Sequence, residues 1–170
     1  MTDAVLFDAR DDGIAIITLN RPEQRNALGK EVRDGLFAAW DRFEHDPALR
    51  IAILTGAGEK AFCAGGDLKE MVEKQLSVPA RDMFPIPHDN IELTKPTIAA
   101  VNGVAFAGGW MIAQACDLCV ASTSAKFAIT EVKVGRGSPW AAPLIHMIPQ
   151  RIMMEIILTG KPITAQRAYE

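Results

Sequence analysis

The sequence is short of cysteine, aromatic residues and charge of one sign, and each shortage closes off a class of answer. Three cysteines (Cys63, Cys116 and Cys119) are an odd number and do not make a disulfide framework. CDLC, residues 116–119, is a lone CxxC with no second pair and no histidine at ligand spacing, so it reads as two buried thiols rather than a zinc site. The 18 Lys and Arg against 21 Asp and Glu give a net charge of −3, which offers no basic field to nucleic acid or to an anionic membrane. No apolar run approaches the roughly 20 residues that span a bilayer. The N-terminal MTDAVLFDARDDG carries acidic residues where a signal peptide has basic ones. These absences lead to the expectation of a reduced, cytoplasmic protein with neither a membrane nor DNA as partner.

What is present is an alternation of strands and helices. VLFDAR and IAIITLN flank DDG, which predicts a β-hairpin over residues 4–20. Val32, Leu36, Trp40 and Phe43 recur at helical spacing, predicting an amphipathic helix over 30–45 that closes before Pro47. IAILTG (51–56) and PTIAAVN (96–102) are continuous apolar runs of the kind expected in buried strands. AGEKAFCAGG reads as a loop, and DLKEMVEKQ as a helix whose first amides are capped by Asp67. Residues 76–95, with Pro79, Pro85 and Pro87, read as a mobile loop or short helical pieces over a pocket mouth. LCVAS and KFAIT follow as strands, then PWAAPLIHMI and RIMMEIILTG as apolar helical pieces. This order predicts one α/β domain over 1–170, with helices packed on sheet faces. TAQRAYE reads as the first turns of a helix capped by Thr164, and further residues are expected beyond Glu170.

One device occurs twice: strand, small-residue turn, helix start. It appears in ILTGAGEKAFCAGGDL and again in IAAVNGVAFAGGWM. Each turn leaves backbone N–H groups free at a helix N-terminus, and glycine lets a ligand approach them closely. Two such turns that converge can hold one oxygen carrying developing negative charge, the arrangement needed for acyl chemistry. Neither turn is a phosphate-binding P-loop or a dinucleotide fingerprint. The plainer alternative is that these glycines only let helix and strand pack closely.

RPEQRNAL, KAFCAGGDLKEM, KPTIAAVNGVAFAGG, ACDL and KFAITEVKVG, in this order, resemble the crotonase, or enoyl-CoA hydratase/isomerase, superfamily over nearly the whole chain. The resemblance implies a spiral of ββα units around two roughly perpendicular sheets, followed by a C-terminal helical region that packs trimers or hexamers and is cut short here. It implies an acyl-CoA substrate, with CoA entering as part of that substrate and no separate cofactor or metal. It assigns the two oxyanion donors to the backbone N–H groups of Gly66 and Gly108. It lines the substrate with Ala64, Asp67, Leu68 and Lys69 and places Asn26, Ala27 and Leu28 near the nucleotide end.

The same resemblance makes Glu131, in FAITEVKVG, the acid or base facing the α-carbon of the thioester. Hydratases of the family carry a second glutamate three residues after the glycine donor, where this sequence has Met111. One carboxylate suffices to shuttle a proton between C2 and C4 of an enoyl chain, so this departure leans towards double-bond isomerisation. Trp110 and Met111 would make a drier wall of the substrate site. Asp82, Asp89 and Glu92 are candidate substitutes for the missing carboxylate, and GRGSPW (135–140) is expected to line the pocket with Arg136 and Ser138. His88 is the one histidine placed to meet ligand. Two other readings remain open: a hydrolase or lyase on the same site, and a relative that holds CoA thioesters or RNA without turnover.

Overall fold

The computed structural model describes residues 3–75 and 82–170. Strands β1 (Val5–Ala9) and β2 (Ile14–Leu19) pair antiparallel with Phe7 opposite Ile17, as the hairpin reading expects. Ala15, Ile17 and Leu19 on one face of β2 are fully buried. They lie under helix α1 (Lys30–His45), whose Val32, Leu36, Ala39, Trp40 and Phe43 are also fully buried. That stripe is the predicted one, and burying each of its large side chains is worth about 1.5–3 kcal/mol.

The chain then winds in a repeated pattern. Strand β3 (Ile51–Gly56) is followed by β4 (Ala61–Cys63) and helix α2 (Leu68–Glu73). Strand β5 (Thr97–Val101) is followed by β6 (Val104–Phe106) and helix α3 (Gly108–Gln114). Strand β7 (Leu118–Ala121) is followed by β8 (Lys126–Ala128) and two 3₁₀ turns, Glu131–Val134 and Pro139–His146. Helix α4 (Gln150–Thr159), strand β9 (Ile163–Thr164) and helix α5 (Ala165–Tyr169) complete it. In each repeat the first strand joins one sheet, ordered β1-β2-β3-β5-β7, and the second joins another, ordered β4-β6-β8-β9. Two sheets fed alternately are the spiral of ββα units. No helix of the described residues is long and apolar enough to cross a membrane.

Several expectations need correction. β4 lies inside the stretch read as a loop, and β6 inside the stretch read as a turn. A three-residue strand is too short to show an alternation of apolar and polar positions. β3 and β5 are buried on one face only: Ala52 and Leu54 are sealed while Ile51 and Ile53 are half-buried. Of the two thiols expected to be buried in CDLC, Cys116 is and Cys119 is exposed, because β7 is the edge of its sheet. Pro79 and the rest of 76–81 lie outside the described residues.

Candidate active site

Strands β4, β6 and β8 are adjacent and parallel, so their carboxyl ends lie at the same edge of the smaller sheet. β4 runs into Ala64–Asp67, β6 into Ala107–Gly109, and β8 into Glu131 three residues on. Loops at the carboxyl ends of adjacent parallel strands are where α/β proteins place their ligands.

The two glycine turns touch. A Cβ on Gly65, whose φ is +101°, would lie 2.9 Å from the Ala107 Cβ and 3.3 Å from the Gly108 nitrogen. A Cβ on Gly108 would lie 3.7 Å from the Gly66 nitrogen and 3.1 Å from Leu28 Cδ1. Ala107, at φ +49° and ψ −122°, sits where residues other than glycine are rarely found. Such a conformation costs on the order of 1–3 kcal/mol and needs its surroundings to hold it. Its N–H donates to the Ala128 carbonyl at 2.9 Å, and its carbonyl accepts from Met111 N–H at 3.0 Å. Among the described residues, neither the Gly66 nor the Gly108 N–H is used in a turn, cap or loop hydrogen bond. Both glycines are partly exposed. Close packing accounts for Gly65 and Gly109. It leaves the two amides of Gly66 and Gly108 available.

The first turn is braced from both sides. Leu28 N–H donates to Gly65 O at 2.8 Å and Ala64 N–H to Arg25 O at 3.0 Å, so residues 25–28 run alongside 64–66. Asn26, at φ +55°, is fully buried: its Oδ1 accepts from Arg21 N–H, and its Nδ2 donates to Ala57 O and Ala61 O. The Asn26 side chain is therefore spent on this brace. Leu28 is fully buried and Ala27 and Ala64 partly so. Asp67 caps α2 as predicted, accepting from the N–H groups of Lys69 and Glu70, while Leu68 and Lys69 are exposed. Glu70 reaches back to Arg33 of α1 in a two-pronged pair at 2.8 and 3.1 Å. The Arg33 guanidinium holds the Glu70 carboxyl down at about 2.

Glu131 is half-buried at the start of its 3₁₀ turn. Its Oε1 accepts from the Trp140 indole N–H at 2.5 Å, and its Oε2 is buried with no hydrogen-bond partner among the described residues. Trp110 and Met111 are 7% and 6% exposed, so α3 turns an apolar side inward where the resemblance would set a second glutamate. The Trp110 ring packs against Phe127 at 5.6 Å and Trp140 at 6.4 Å. Gln114 Nε2, also on α3, donates to the Trp140 carbonyl at 3.0 Å. Trp140 belongs to GRGSPW, the stretch expected to line the pocket, although Arg136 and Ser138 are the residues singled out there.

The remaining candidates fall elsewhere. Burial pushes the Cys63 and Cys116 thiols up to about 12, so neither is a thiolate near neutrality. His88 meets Asp117 at 3.3 Å, and Asp117 also accepts from Thr97 N–H and Oγ1, which joins the loop to the start of β5. Asp82, Asp89 and Glu92 are exposed. Arg136 Nη1 donates to the Met71 sulfur at 3.3 Å, and Met71 Cε covers Gly66 where a Cβ would stand.

A spiral of ββα units that feeds two sheets alternately is the fold of a crotonase-type protein. Comparison with known proteins agrees: residues 9–170 match the enoyl-CoA hydratase/isomerase family model, and the chain belongs to that family. It is 47% identical over 161 residues to the (E)-benzylidenesuccinyl-CoA hydratase of Thauera aromatica, covering 91% of this chain and 62% of that protein. It is 44% identical over 169 residues to enoyl-CoA hydratase EchA19 of Mycobacterium tuberculosis, covering 91% of this chain and 61% of that protein. The solved enoyl-CoA hydratase of Mycobacterium tuberculosis H37Rv superposes with a TM-score of 0.86 at 42% identity, covering 99% of this chain and 66% of that one. The chain thus spans about three fifths of the length of these curated relatives.

Proposed function

We propose that the protein binds an enoyl-CoA thioester and transfers protons on its acyl chain. The Gly66 and Gly108 N–H groups receive the thioester oxygen, and Glu131 acts as acid and base. The observation that carries this reading is the meeting of three strand ends, which brings two available amides and one half-buried carboxylate to the same edge. Taking a proton from, or adding a nucleophile to, the enoyl thioester puts negative charge on the carbonyl oxygen. Two preset amides stabilise that charge without reorganising, and each donor is worth roughly 3 kcal/mol in comparable sites. In hydration, Glu131 takes a proton from water as oxygen adds to C3 and returns a proton to C2. The names of the similar proteins, hydratases of enoyl-type CoA thioesters, favour this direction.

The test follows the absorbance of a conjugated 2-enoyl-CoA in wild type and Glu131→Gln. The wild-type signal is expected to decay, and the variant to be slower by about 10²–10⁴. An unimpaired variant would remove Glu131 from the reaction. A second reading, migration of the double bond, is favoured by the apolar, 6%-exposed Met111. A 3-enoyl-CoA that gains conjugated absorbance while the 2-enoyl signal stays flat would select it.

A further inference from the structure

We propose that Trp140 is a positioning residue for Glu131: its indole N–H holds Oε1 so that Oε2 alone exchanges the proton. This inference rests on the enoyl-CoA reading for its chemistry, and on contacts within the protein for its geometry. The two carboxylate oxygens stand in unlike surroundings. Oε1 accepts from Trp140 Nε1 at 2.5 Å, while Oε2 is buried and has no hydrogen-bond partner among the described residues. A free carboxylate rotates and offers either oxygen to a substrate. Fixing that rotation beforehand removes an entropic cost from the reactive step.

The indole suits this task. It donates and cannot accept, so it never competes with substrate for the proton that Glu131 carries. Trp140 is itself held by α3, through Gln114 Nε2 on its carbonyl at 3.0 Å and the Trp110 ring at 6.4 Å. Trp110 also packs on Phe127 of β8, the strand that leads to Glu131. Helix α3 begins at Gly108. One rigid element therefore carries a candidate oxyanion amide at its start and, along its side, the grip on the tryptophan that orients the carboxylate.

The experiment has two arms on the full chain. The first needs no substrate and reads the indole N–H signals of the protein's three tryptophans, Trp40, Trp110 and Trp140, by NMR. The Trp140 proton is expected downfield of the other two, and to move back among them in Glu131→Ala. A Trp140 signal unmoved by that substitution would overturn the proposal. The second arm measures turnover of an enoyl-CoA by Trp140→Phe, which keeps the ring and loses the N–H. We expect kcat to fall about ten- to a hundredfold at unchanged KM and unchanged melting temperature. An unchanged kcat would overturn the proposal, since a packing role alone is met by phenylalanine. A displaced indole signal in a wild type that turns over no enoyl-CoA would support the positioning and overturn the activity.

Discussion

The two sheets of this molecule are built to different standards. In the larger one, β2 and β3 stay in register over six pairs, from Ile14 with Ile51 to Leu19 with Gly56. Ala15, Ile17, Leu19, Ala52 and Leu54 are sealed from solvent. In the smaller one, strands are two or three residues long, and the β4–β6 register shifts between Ala61 and Cys63. Yet the smaller sheet ends in the strained Ala107 and the left-handed Gly65, beside the candidate catalytic groups. Long paired strands supply stability, and short ones aim loops. The short strands cannot hold strained turns unaided, so the α1 core, the Asn26 brace and the α3 contact must hold them.

Neighbouring glycines break this comparison most sharply. A Cβ on Gly109 would overlap the Cys63 carbonyl oxygen, which is backbone and cannot swing aside. Gly109→Ala must push α3 off β4, and we expect it to cost about 4 kcal/mol, at the exceptional end for one substitution. A Cβ on Gly108 is crowded by the end of the Leu28 side chain at 3.1 Å and meets Gly65 and Gly66 backbone at an ordinary 3.7 Å. Gly108→Ala is expected to stay within about 1 kcal/mol of wild type in denaturant titration while losing most enoyl-CoA turnover. Equal stability losses in the two variants would show that the second turn is packing alone.

The next effect belongs to the larger sheet. Leu54 is fully buried on β3, between β2 and β5. Leu54→Ala should cost about 3 kcal/mol through lost transfer energy and a cavity. Turnover per folded molecule and KM should both stay unchanged. A shifted KM would mean that the two sheets do not divide stability from geometry as described.

This division also explains what could be read from the sequence. The hairpin was legible from its DDG turn, α1 from its helical period, β3 and β5 as continuous apolar runs, and Asp67 because a cap declares itself by residue type. β4 and β6 were not, since Ala61–Cys63 and Val104–Phe106 are three residues each. The glycine turns were legible as turns, but their contact depends on pairing between strands some forty residues apart, as Ala61 with Val104. Glu131 came from the family resemblance, and its bond to Trp140 from neither period nor motif. A tryptophan nine residues on is visible as a hydrogen-bond partner only once the 3₁₀ turns fold it back.

A smaller, pH-dependent effect tests how α2 is held beside the first turn. The Arg33 guanidinium, with Lys74 in support, holds the Glu70 carboxyl at about 2, below its ordinary 4.5. A depressed carboxyl stabilises the fold above its unfolded value, and that stability is lost as pH falls from about 4.5 towards about 2. Glu70→Gln should therefore be less stable than wild type above pH 4.5, with the gap closing near pH 2. Denaturant midpoints across that range read it directly. A gap that does not change with pH would mean that the pair is already broken in solution.

The smallest effect separates two helix caps that are alike chemically and unlike in position. Asp67 caps α2 through the N–H groups of Lys69 and Glu70, and Thr164 caps α5 through Arg167 N–H at 3.1 Å. Removing either, as Asp67→Ala or Thr164→Ala, should cost about 1 kcal/mol, the usual worth of a cap. Their kinetic consequences should differ. Asp67 follows Gly66 directly, and its side chain packs within 3.4 Å of where a Cβ on Gly29 would stand, so its loss loosens the turn that carries one candidate oxyanion amide. Thr164 lies on β9, at the far side of β8 from the glycine turns. Asp67→Ala is expected to lower kcat/KM for an enoyl-CoA about tenfold, and Thr164→Ala to leave it unchanged. If both variants lose a cap's worth of stability and neither loses turnover, the α2 cap serves the fold alone, and the first turn is held by Asn26 and Leu28 instead.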